Sequence, residues 1–532
     1  MRDKLKLVLL IFLCLPQFSF SQVDNFARVT GAYPDFGDVS GTWGHYQYHR
    51  PFGLQGIVIK DWRDLTGISP LTSEPFNTYR QGWIPLGGSS TLWDQLHPQL
   101  TAPTDTIAPS TLVNYRQGDG IFKDFTLWYH NSLDKQTRFG WTSKLRSHPR
   151  IADATVYNEQ RHRFQANSEG DGIFYQMEVG YDHRVNPLYA IAQDSSLAWY
   201  YDDTPQIRSD LWDGSIAWNN LDSNNLGTEI FSYVQGGNWT WSGGERRSII
   251  SQTYFKHSRD LFGLGTTDFT VGLISKHFGG NKRVQQFVEF RLPAWRGENY
   301  RAELGVRSLG RLAIFPNINL EYTPGPFHVG IRTHQIISER LWDSEITQAQ
   351  IQELSGGLDF SKVSLRIKSW RGDDEGVGIS GSSAEARFEL PWQMTLMLGG
   401  DVLDMTSDWV FARQQFNWEI LQSLVLFDNA LHANLKVWGQ HLVDTQPGML
   451  DVQNFHVSNS PYPGEEMLNL LNYTISGQVS TVIISFTDQN MLHDELWSQY
   501  ADIPWNLDYS LMTNQISNSR FRYVSIIWTF DN

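Results

Sequence analysis

The last thirteen residues, RFRYVSIIWTFDN at positions 520–532, decide the fold class. They form a strand-length segment rich in β-branched and aromatic residues, the types that favour β-strands. Trp528 and Phe530 lie close to the chain end. The chain is therefore predicted to finish in a β-strand with aromatic residues near its terminus.

Apolar and polar residues alternate along much of the chain from about residue 120 onward. This period of two, which a β-strand with two different faces produces, is clearest at residues 300–307, 363–368, 385–390 and 431–437. In the second of these stretches, Val363, Leu365 and Ile367 alternate with polar or charged residues. Each such strand has one apolar face and one largely charged face.

Two architectures fit any single strand of this kind. In a soluble sandwich or propeller, the apolar face packs inward and the polar face meets solvent. In a transmembrane barrel, the apolar face contacts lipid, the polar face lines a wet lumen, and aromatic residues form girdles at both interfaces. Features of the whole chain are needed to choose between them.

Tryptophan content and connection lengths favour the barrel. Seven of the 21 tryptophans lie within or at the ends of alternating segments: Trp128, Trp141, Trp295, Trp370, Trp392, Trp438 and Trp528. An indole at such a position keeps its N–H in the headgroup region. Stretches between strands range from the short run 308–311 to the long run 444–466, and this mixture of short turns and long loops is typical of membrane barrels.

The first 21 residues have the pattern of a secretory signal peptide. Residues 2–6 carry three basic side chains and residues 7–15 form an apolar core, while Ser19 and Ser21 give a small-x-small site, so cleavage is predicted after Ser21. The apolar core is too short to span a bilayer, which takes about 20 apolar residues. No later stretch approaches that length, so the chain is predicted to be exported without a helical anchor.

Composition and charge argue against several classes of function. The formal net charge of −15 at pH 7 disfavours a nucleic-acid partner. The single cysteine, Cys14, lies in the predicted signal peptide, so disulfides, thiolate metal sites and cysteine nucleophiles are not expected.

The short motifs point away from a cofactor and from catalysis. GVGISG at residues 376–381 fits the dinucleotide pattern G-x-G-x-x-G, but an alternating strand follows it where a crossover helix is required. The histidines form no zinc-binding pattern, and no serine-hydrolase elbow occurs. No cofactor, no metal and no enzyme activity are therefore predicted.

The polar faces of the alternating strands supply the candidate functional residues. Twelve charged residues are predicted to line the lumen: Glu289, Arg291, Arg301, Glu303, Arg307, Arg332, Arg366, Lys368, Glu385, Arg387, Glu389 and Lys436. If the barrel is large, opposed acidic and basic ladders would create a transverse field that filters permeating solutes. If the lumen is packed, the same residues are paired structural charges.

Two stretches resemble a known group of membrane barrels. YRQGDGIFKDFTLWYHNSLDKQTRFGWTSKL at residues 115–145 resembles the opening strands of porins of Bacteroidetes-type bacteria, which are similar to TonB-dependent receptor barrels without a plug. TVIISFTDQNML at residues 481–492, with the last strand, resembles the final hairpin of TonB-dependent receptor barrels. The aromatic end marked by Trp528 and Phe530 also resembles the signal that the barrel-insertion machinery reads.

The segment ahead of the predicted barrel departs from the receptor pattern. A receptor of that group has a separate plug domain, whereas here residues 22–110 are rich in Gly, Pro and Trp and contain one predicted strand at residues 54–62. This segment is predicted to form early strands and a long loop that folds inward. A plug built from it would be undersized.

The sequence therefore predicts an all-β fold, namely a transmembrane antiparallel outer-membrane β-barrel of about 16–22 strands over residues 111–532, with 520–532 as the closing strand. Because barrels of 16–18 strands already leave an aqueous channel, the main prediction is a porin for passive diffusion of small hydrophilic solutes. One alternative is a receptor-like, ligand-specific importer that works with a separate plug or binding partner, and another is a structural or adhesive barrel. The expected location is the cell outer membrane, and the expected partners are outer-membrane lipids, the barrel-insertion machinery, small hydrophilic solutes and, as an option, further copies of the chain.

Overall fold

The computed structural model describes most of the C-terminal four-fifths of the chain. The described residues are 110–531, except 119–121, 135, 152–154, 171–172, 188–205, 222–225, 242–243, 261–265, 279, 310–312, 339–346, 375–376, 406–411, 429, 446–447, 452–455, 460–466, 490 and 492–520. The predicted signal peptide, the predicted N-terminal segment up to residue 109 and its predicted strand at residues 54–62 lie outside them.

The described residues form β-strands joined by turns. The first ten strands are β1 Ser110–Gly118, β2 Phe122–Ser132, β3 Thr137–Ile151, β4 Thr155–Gly170, β5 Ile173–Pro187, β6 Gln206–Leu221, β7 Gly227–Trp241, β8 Gly244–Asp260, β9 Thr266–Phe278 and β10 Asn281–Arg291. The next eight are β11 Trp295–Arg296, β12 Tyr300–Leu309, β13 Ala313–Tyr322, β14 Phe327–Ser338, β15 Thr347–Phe360, β16 Val363–Asp374, β17 Val377–Leu390 and β18 Met394–Met405. The last seven are β19 Ala412–Leu426, β20 Leu431–Thr445, β21 Gly448–Asp451, β22 His456–Asn459, β23 Met467–Val479, β24 Val482–Gln489 and β25 Phe521–Asp531.

The strands close into a barrel. Twenty-three of them belong to one antiparallel sheet, while β21 and β22 form a separate hairpin. The first and last strands of the sheet pair with each other, from Ser110 opposite Asp531 to Gly118 opposite Tyr523. Strand β11 has two residues and only extends the β10–β12 hairpin, which leaves 22 wall strands. The predicted all-β barrel is confirmed, and its size lies at the upper limit of the predicted range.

The two ends of the barrel differ in the length of their connections. Strand β1 begins and β25 ends at the same end, here called the terminus end, where the longest connection is residues 292–299. At the opposite end, here called the loop end, residues 188–205, 446–466 and 490–520 link neighbouring wall strands. The longest connections therefore lie at the loop end, and those at the terminus end have at most eight residues.

The turn between β2 and β3 shows how the terminus end is fixed. One carboxylate oxygen of Asp134 accepts hydrogen bonds from the backbone N–H groups of Gln136, at 2.8 Å, and Thr137, at 2.6 Å. These two donors lower the pKa of the Asp134 carboxyl below its ordinary value, because they stabilise the charged form. Such a side-chain to backbone turn reverses the chain within a few residues.

The outer face of the wall is apolar. Large apolar side chains at alternating positions are exposed there, among them Ile367 at 63%, Leu354 at 55% and Val306 at 45%. The intervening side chains are polar and crowded, with Glu289 exposed by 1% and Asn417 by 2%. Because side chains converge on the concave side of a closed sheet and diverge on the convex side, the polar face is the inner one.

Aromatic residues form a girdle on the outer face at the terminus end, on and between strands β12–β20 and on β25. Their side chains are exposed and lie at strand ends or in turns: Tyr300, Tyr322, Phe327, Phe360, Trp392, Phe427 and Phe530. Of the tryptophans predicted to lie at membrane interfaces, Trp141, Trp295, Trp392 and Trp528 are exposed. The prediction is wrong for Trp370 and Trp438, because their strand positions turn both indoles toward the lumen, where Lys368 and Lys436 contact them.

Large aromatic side chains fill the space opposite glycines on the neighbouring strand. The cross-strand pairs are Trp212–Gly236, Phe287–Gly272, Trp370–Gly381 and Trp418–Gly439. A Cβ atom added to any of these glycines would lie 2.2–2.4 Å from the aromatic ring. The ring therefore covers the bare backbone, an arrangement that fixes the register between two strands.

The last strand of the wall closes the sheet. Strand β25 spans Phe521–Asp531 and pairs with β24 on one side and β1 on the other. Trp528 and Phe530 lie on its outer face, with ring centroids 4.2 Å apart. Among the residues that the structure describes, no helix is long and apolar enough to cross a membrane.

Candidate functional site: the barrel lumen

All twelve charged residues predicted to line the lumen occupy inner-face positions. They lie on six strands: β10 (Glu289, Arg291), β12 (Arg301, Glu303, Arg307), β14 (Arg332), β16 (Arg366, Lys368), β17 (Glu385, Arg387, Glu389) and β20 (Lys436). The cross-strand register joins most of them into one surface, because Glu289 faces Arg307 and Arg366 faces Glu385. Their role in selectivity stays a prediction.

Among the twelve predicted lumen residues, three pairs of opposite charge form within single strands. Residues two apart share a face of a strand, so Arg291 Nε donates to Glu289 Oε1 at 2.6 Å and Arg301 Nε donates to Glu303 Oε1 at 2.8 Å. Arg387 Nη2 reaches Glu389 Oε1 at 3.4 Å. The pairs differ in environment, because the Glu289 side chain is 1% exposed whereas that of Glu389 is 51% exposed.

Two matching clusters occur between adjacent strands. On β15 and β16, Lys368 Nζ lies 3.1 Å from Glu353 Oε2 and 5.9 Å from the Trp370 ring. On β19 and β20, Lys436 Nζ lies 2.8 Å from Glu419 Oε2 and 5.2 Å from the Trp438 ring. In both clusters, the glutamate lies directly opposite the tryptophan on the neighbouring strand, and the lysine precedes that tryptophan by two residues. The cation is held between a carboxylate and an aromatic face.

A third polar network, which the sequence did not single out, lies near the terminus end of β7–β9. Tyr254 donates to Glu229 at 2.8 Å, and Lys256 Nζ lies 3.2 Å from Asp268 Oδ2. Phe231 stacks on Tyr254, with ring centroids 5.1 Å apart. The apolar side chains packed around Tyr254 shield these charges, since Glu229 is only 3% exposed.

A charged recess opens on the lumen beside the β15–β16 turn. It has a volume of about 230 Å³, and six of its lining residues are charged: Asp359, Lys362, Arg366, Glu385, Arg387 and Glu389. Three are acidic and three are basic, so the recess suits a polar solute that carries groups of both signs.

Among the described residues, the ion pairs of the lumen wall are local. The partners of Glu289, Glu303, Glu353, Glu419 and Glu389 lie on the same strand or on the adjacent one. A local pair neutralises the charge where it forms, which weakens its contribution to a field across the lumen. Both interpretations of the twelve residues, solute filter and structural ion pairs, stay predictions.

Neither a metal centre nor a nucleotide site emerges from the described part of the chain. Within it, no group of three or more His, Cys, Asp or Glu side chains could hold a metal ion. Residues 377–381 of the GVGISG motif lie within β17, which pairs antiparallel with β16. A phosphate-binding turn needs a helix at that point.

Comparison with known structures identifies the architecture. The chain is similar to the FrpB iron transporter from Neisseria meningitidis (F3-3 variant), with a TM-score of 0.61, 7% identity, and 80% of this chain and 81% of that chain covered. It is similar to the siderophore receptor PirA from Acinetobacter baumannii, with a TM-score of 0.57, 8% identity, and 80% and 81% covered. It is also similar to the ferric yersiniabactin uptake receptor FyuA from Yersinia pestis, with a TM-score of 0.57, 10% identity, and 80% and 81% covered.

No protein-family model and no curated protein matches the sequence. At 7–10% identity the likeness is one of fold. The chain has the closed 22-stranded architecture of the TonB-dependent receptor barrels, as the resemblance of its final hairpin suggested.

Proposed function

We propose that the chain is an outer-membrane transport barrel of the receptor type, which binds a specific solute and admits it through a lumen that is otherwise obstructed. The number of wall strands carries this proposal. Barrels of 16–18 strands form aqueous porins, whereas the transporters with 22 strands keep the lumen plugged. This barrel has 22 wall strands, which favours the importer over the passive porin that the sequence analysis ranked first.

The surface of the wall supports a place in the outer membrane. Large apolar side chains are exposed on the outer face of strands β3–β10, β12–β19 and β23–β25, and the terminus end carries the aromatic girdle that includes Tyr322, Phe360 and Trp392. Both are properties of transmembrane barrels, in which short turns face the periplasm and long loops face the outside. The terminus end is therefore proposed to face the periplasm, and the strand with Trp528 and Phe530 to be the segment that the insertion machinery recognises.

The chemistry of the lumen supports binding of a specific solute rather than unselective diffusion. The recess at the β15–β16 turn offers charged groups of both signs, and the Glu–Lys–Trp clusters add aromatic faces that can contact a ring or an apolar edge. The three similar structures are named an iron transporter, a siderophore receptor and a ferric yersiniabactin uptake receptor. Ferric chelates are therefore the first solutes to test.

Conductance and binding together test the proposal. Residues 22–532 are refolded in detergent, and folding is checked by the mobility shift of a barrel on heating. We expect no long-lived conductance steps in a planar bilayer, together with saturable quenching of tryptophan fluorescence by at least one ferric chelate. The same protein denatured in urea serves as the control for non-specific quenching.

Two other outcomes would each replace the proposal. Discrete steps that persist without ligand, with swelling of proteoliposomes in small sugars, would establish the passive porin. The polar inner wall of β10–β20 is the observation that favours this second candidate. A folded, inserted barrel that neither conducts nor binds would indicate a structural or adhesive role.

A further inference from the structure

The outer face of the wall carries a polar patch near the loop end of β15–β17. Its members are Gln352 on β15, Ser369 and Arg371 on β16, and Ser380 and Ser382 on β17. Like Leu354 and Ile367, which are 55% and 63% exposed, they occupy outward-facing positions of their strands. Polar residues thus replace apolar ones across three adjacent strands.

The register places these residues in two rows. Arg371 lies directly between Gln352 and Ser380. One step toward the terminus end, Leu354, Ser369, Ser382 and Val402 follow one another on four adjacent strands. The first row holds a cation and hydrogen-bonding groups, and the second is a pair of small serines between two large apolar side chains.

The small side chains leave a recess of about 560 Å³ in the outer face. Ile331, Leu354 and Val402 form its apolar rim and are 47%, 55% and 49% exposed. Three inner-face residues form its floor: Glu353, Trp370 and Gly381. The carboxylate of Glu353 pairs with Lys368 at 3.1 Å. Among the residues whose side chains the structure describes, none forms an ion pair with Arg371.

The height of the recess matches the outer headgroup region. Strand β15 contains both Phe360, which belongs to the aromatic girdle at the terminus end, and Gln352. Eight residues of strand span about 27 Å, or about 20 Å along the barrel axis at the usual tilt of about 40°. Because the apolar band of such barrels is about 25 Å tall, Arg371 lies at its loop-end edge.

We propose that this recess binds a lipid of the outer leaflet through a phosphate in its headgroup. Arg371 supplies the charge, Gln352 and Ser380 supply hydrogen bonds, and an acyl chain lies over Ser369 and Ser382. A guanidinium at the edge of an apolar band needs a partner, because an unpaired charge there is costly. A phosphate is the bidentate partner that arginine favours. The inference rests on the proposed membrane placement.

Native mass spectrometry of residues 22–532, released from detergent, tests the site with three probes. We expect one retained molecule of phosphatidic acid, far less of a diacylglycerol with the same acyl chains, and no retained inorganic phosphate. Equal retention of phosphatidic acid and diacylglycerol would leave Arg371 without a role and overturn the proposal. Retention of inorganic phosphate alone would assign the site to a soluble anion instead.

Three variants separate the parts of the site. Arg371→Gln removes the charge and is expected to weaken phosphatidic acid binding about tenfold or more, since a hydrogen bond to a charged group is strong. Ser382→Leu fills the recess and should weaken binding without a change of charge. Lys282→Gln is the matched control, because Lys282 is an exposed outward cation at the loop end on β10, away from the recess. Equal loss in all three variants would contradict a specific site.

The same preparations separate this inference from the proposed function. Insertion into liposomes is measured for each variant by protection from protease. A barrel that inserts but shows no preference for phosphatidic acid overturns the lipid site alone. A folded barrel that fails to insert overturns the membrane placement, and the lipid site with it.

Discussion

Replacing Gly272 by alanine is expected to lower the free energy of unfolding of the barrel by about 2–3 kcal/mol, as overpacking of a full core does. The added Cβ would lie 2.3 Å from Cζ of Phe287 and 2.6 Å from the backbone oxygen of Thr253. Phe287 is 1% exposed and packs with Tyr254 and Ile274, so its ring has no free space to enter. The backbone of β8 would have to move.

Gly399→Ala is the matched control for this prediction. Gly399 is also a strand glycine, but the nearest atom to its added Cβ is the backbone oxygen of Ala384 at 4.0 Å. Alanine there should change stability by less than about 0.5 kcal/mol, as unconstrained sites do. Urea titration in detergent micelles, followed by tryptophan fluorescence, measures both variants.

A double variant tests the cause. Phe287→Leu removes the atoms that the new methyl group would meet, so it should restore part of the stability that Gly272→Ala loses. Additive losses in the double variant would show that Phe287 does not cause the effect.

Replacing Lys436 by methionine is expected to cost about 3 kcal/mol or more, because it leaves a buried charge without its partner. The Glu419 side chain is 4% exposed and pairs with Lys436 at 2.8 Å. Methionine keeps most of the length of lysine, so the indole of Trp438 retains an apolar neighbour. The midpoint of urea unfolding is the measurement.

Arg387→Met provides the control for the lysine variant. Arg387 and Glu389 are 3.4 Å apart and 47% and 51% exposed, so their ion pair is screened by water. Exposed pairs contribute about 0–1 kcal/mol. Equal losses for Lys436→Met and Arg387→Met would contradict the importance of burial. Removing the second charge as well, with Glu419→Leu, should recover much of the loss in the lysine variant.

Much of the wall follows from local sequence. The period of two assigns Ile367 to the outer face and Lys368 to the inner face, because successive residues of a strand point to opposite sides. The closing strand is equally readable, since its composition and its place in the chain identify it. The inner-face positions of the twelve charged residues follow from the same rule.

The pairing of the charges does not follow from local sequence. The sequence does not predict Glu353 as a lumen residue, because its strand also carries glutamines on the outer face, at positions 348, 350 and 352. The alternation of apolar and polar residues is therefore absent from this part of the strand. Whether Lys436 meets Glu419 depends on the register between β19 and β20. Register is a property of two strands together.

Tryptophan illustrates the same limit. Trp370 and Trp392 look alike in sequence, at the end of an alternating stretch, yet Trp370 lies on the inner face against Gly381 while Trp392 is exposed at a turn. The glycine that receives the ring lies on the next strand. Only the pairing of two strands shows that the space for the indole exists.

The wall closes where β1 pairs with β25, two strands at opposite ends of the described sequence. Ser525 Oγ donates to Asn114 Oδ1 at 3.1 Å across 411 positions of sequence. Until β25 pairs with β1, the wall has two exposed edges, and such edges recruit other strands. Contacts between such distant residues also form slowly. A chain that lacks β25 is therefore expected to leave the edges of β1 and β24 unpaired and to aggregate.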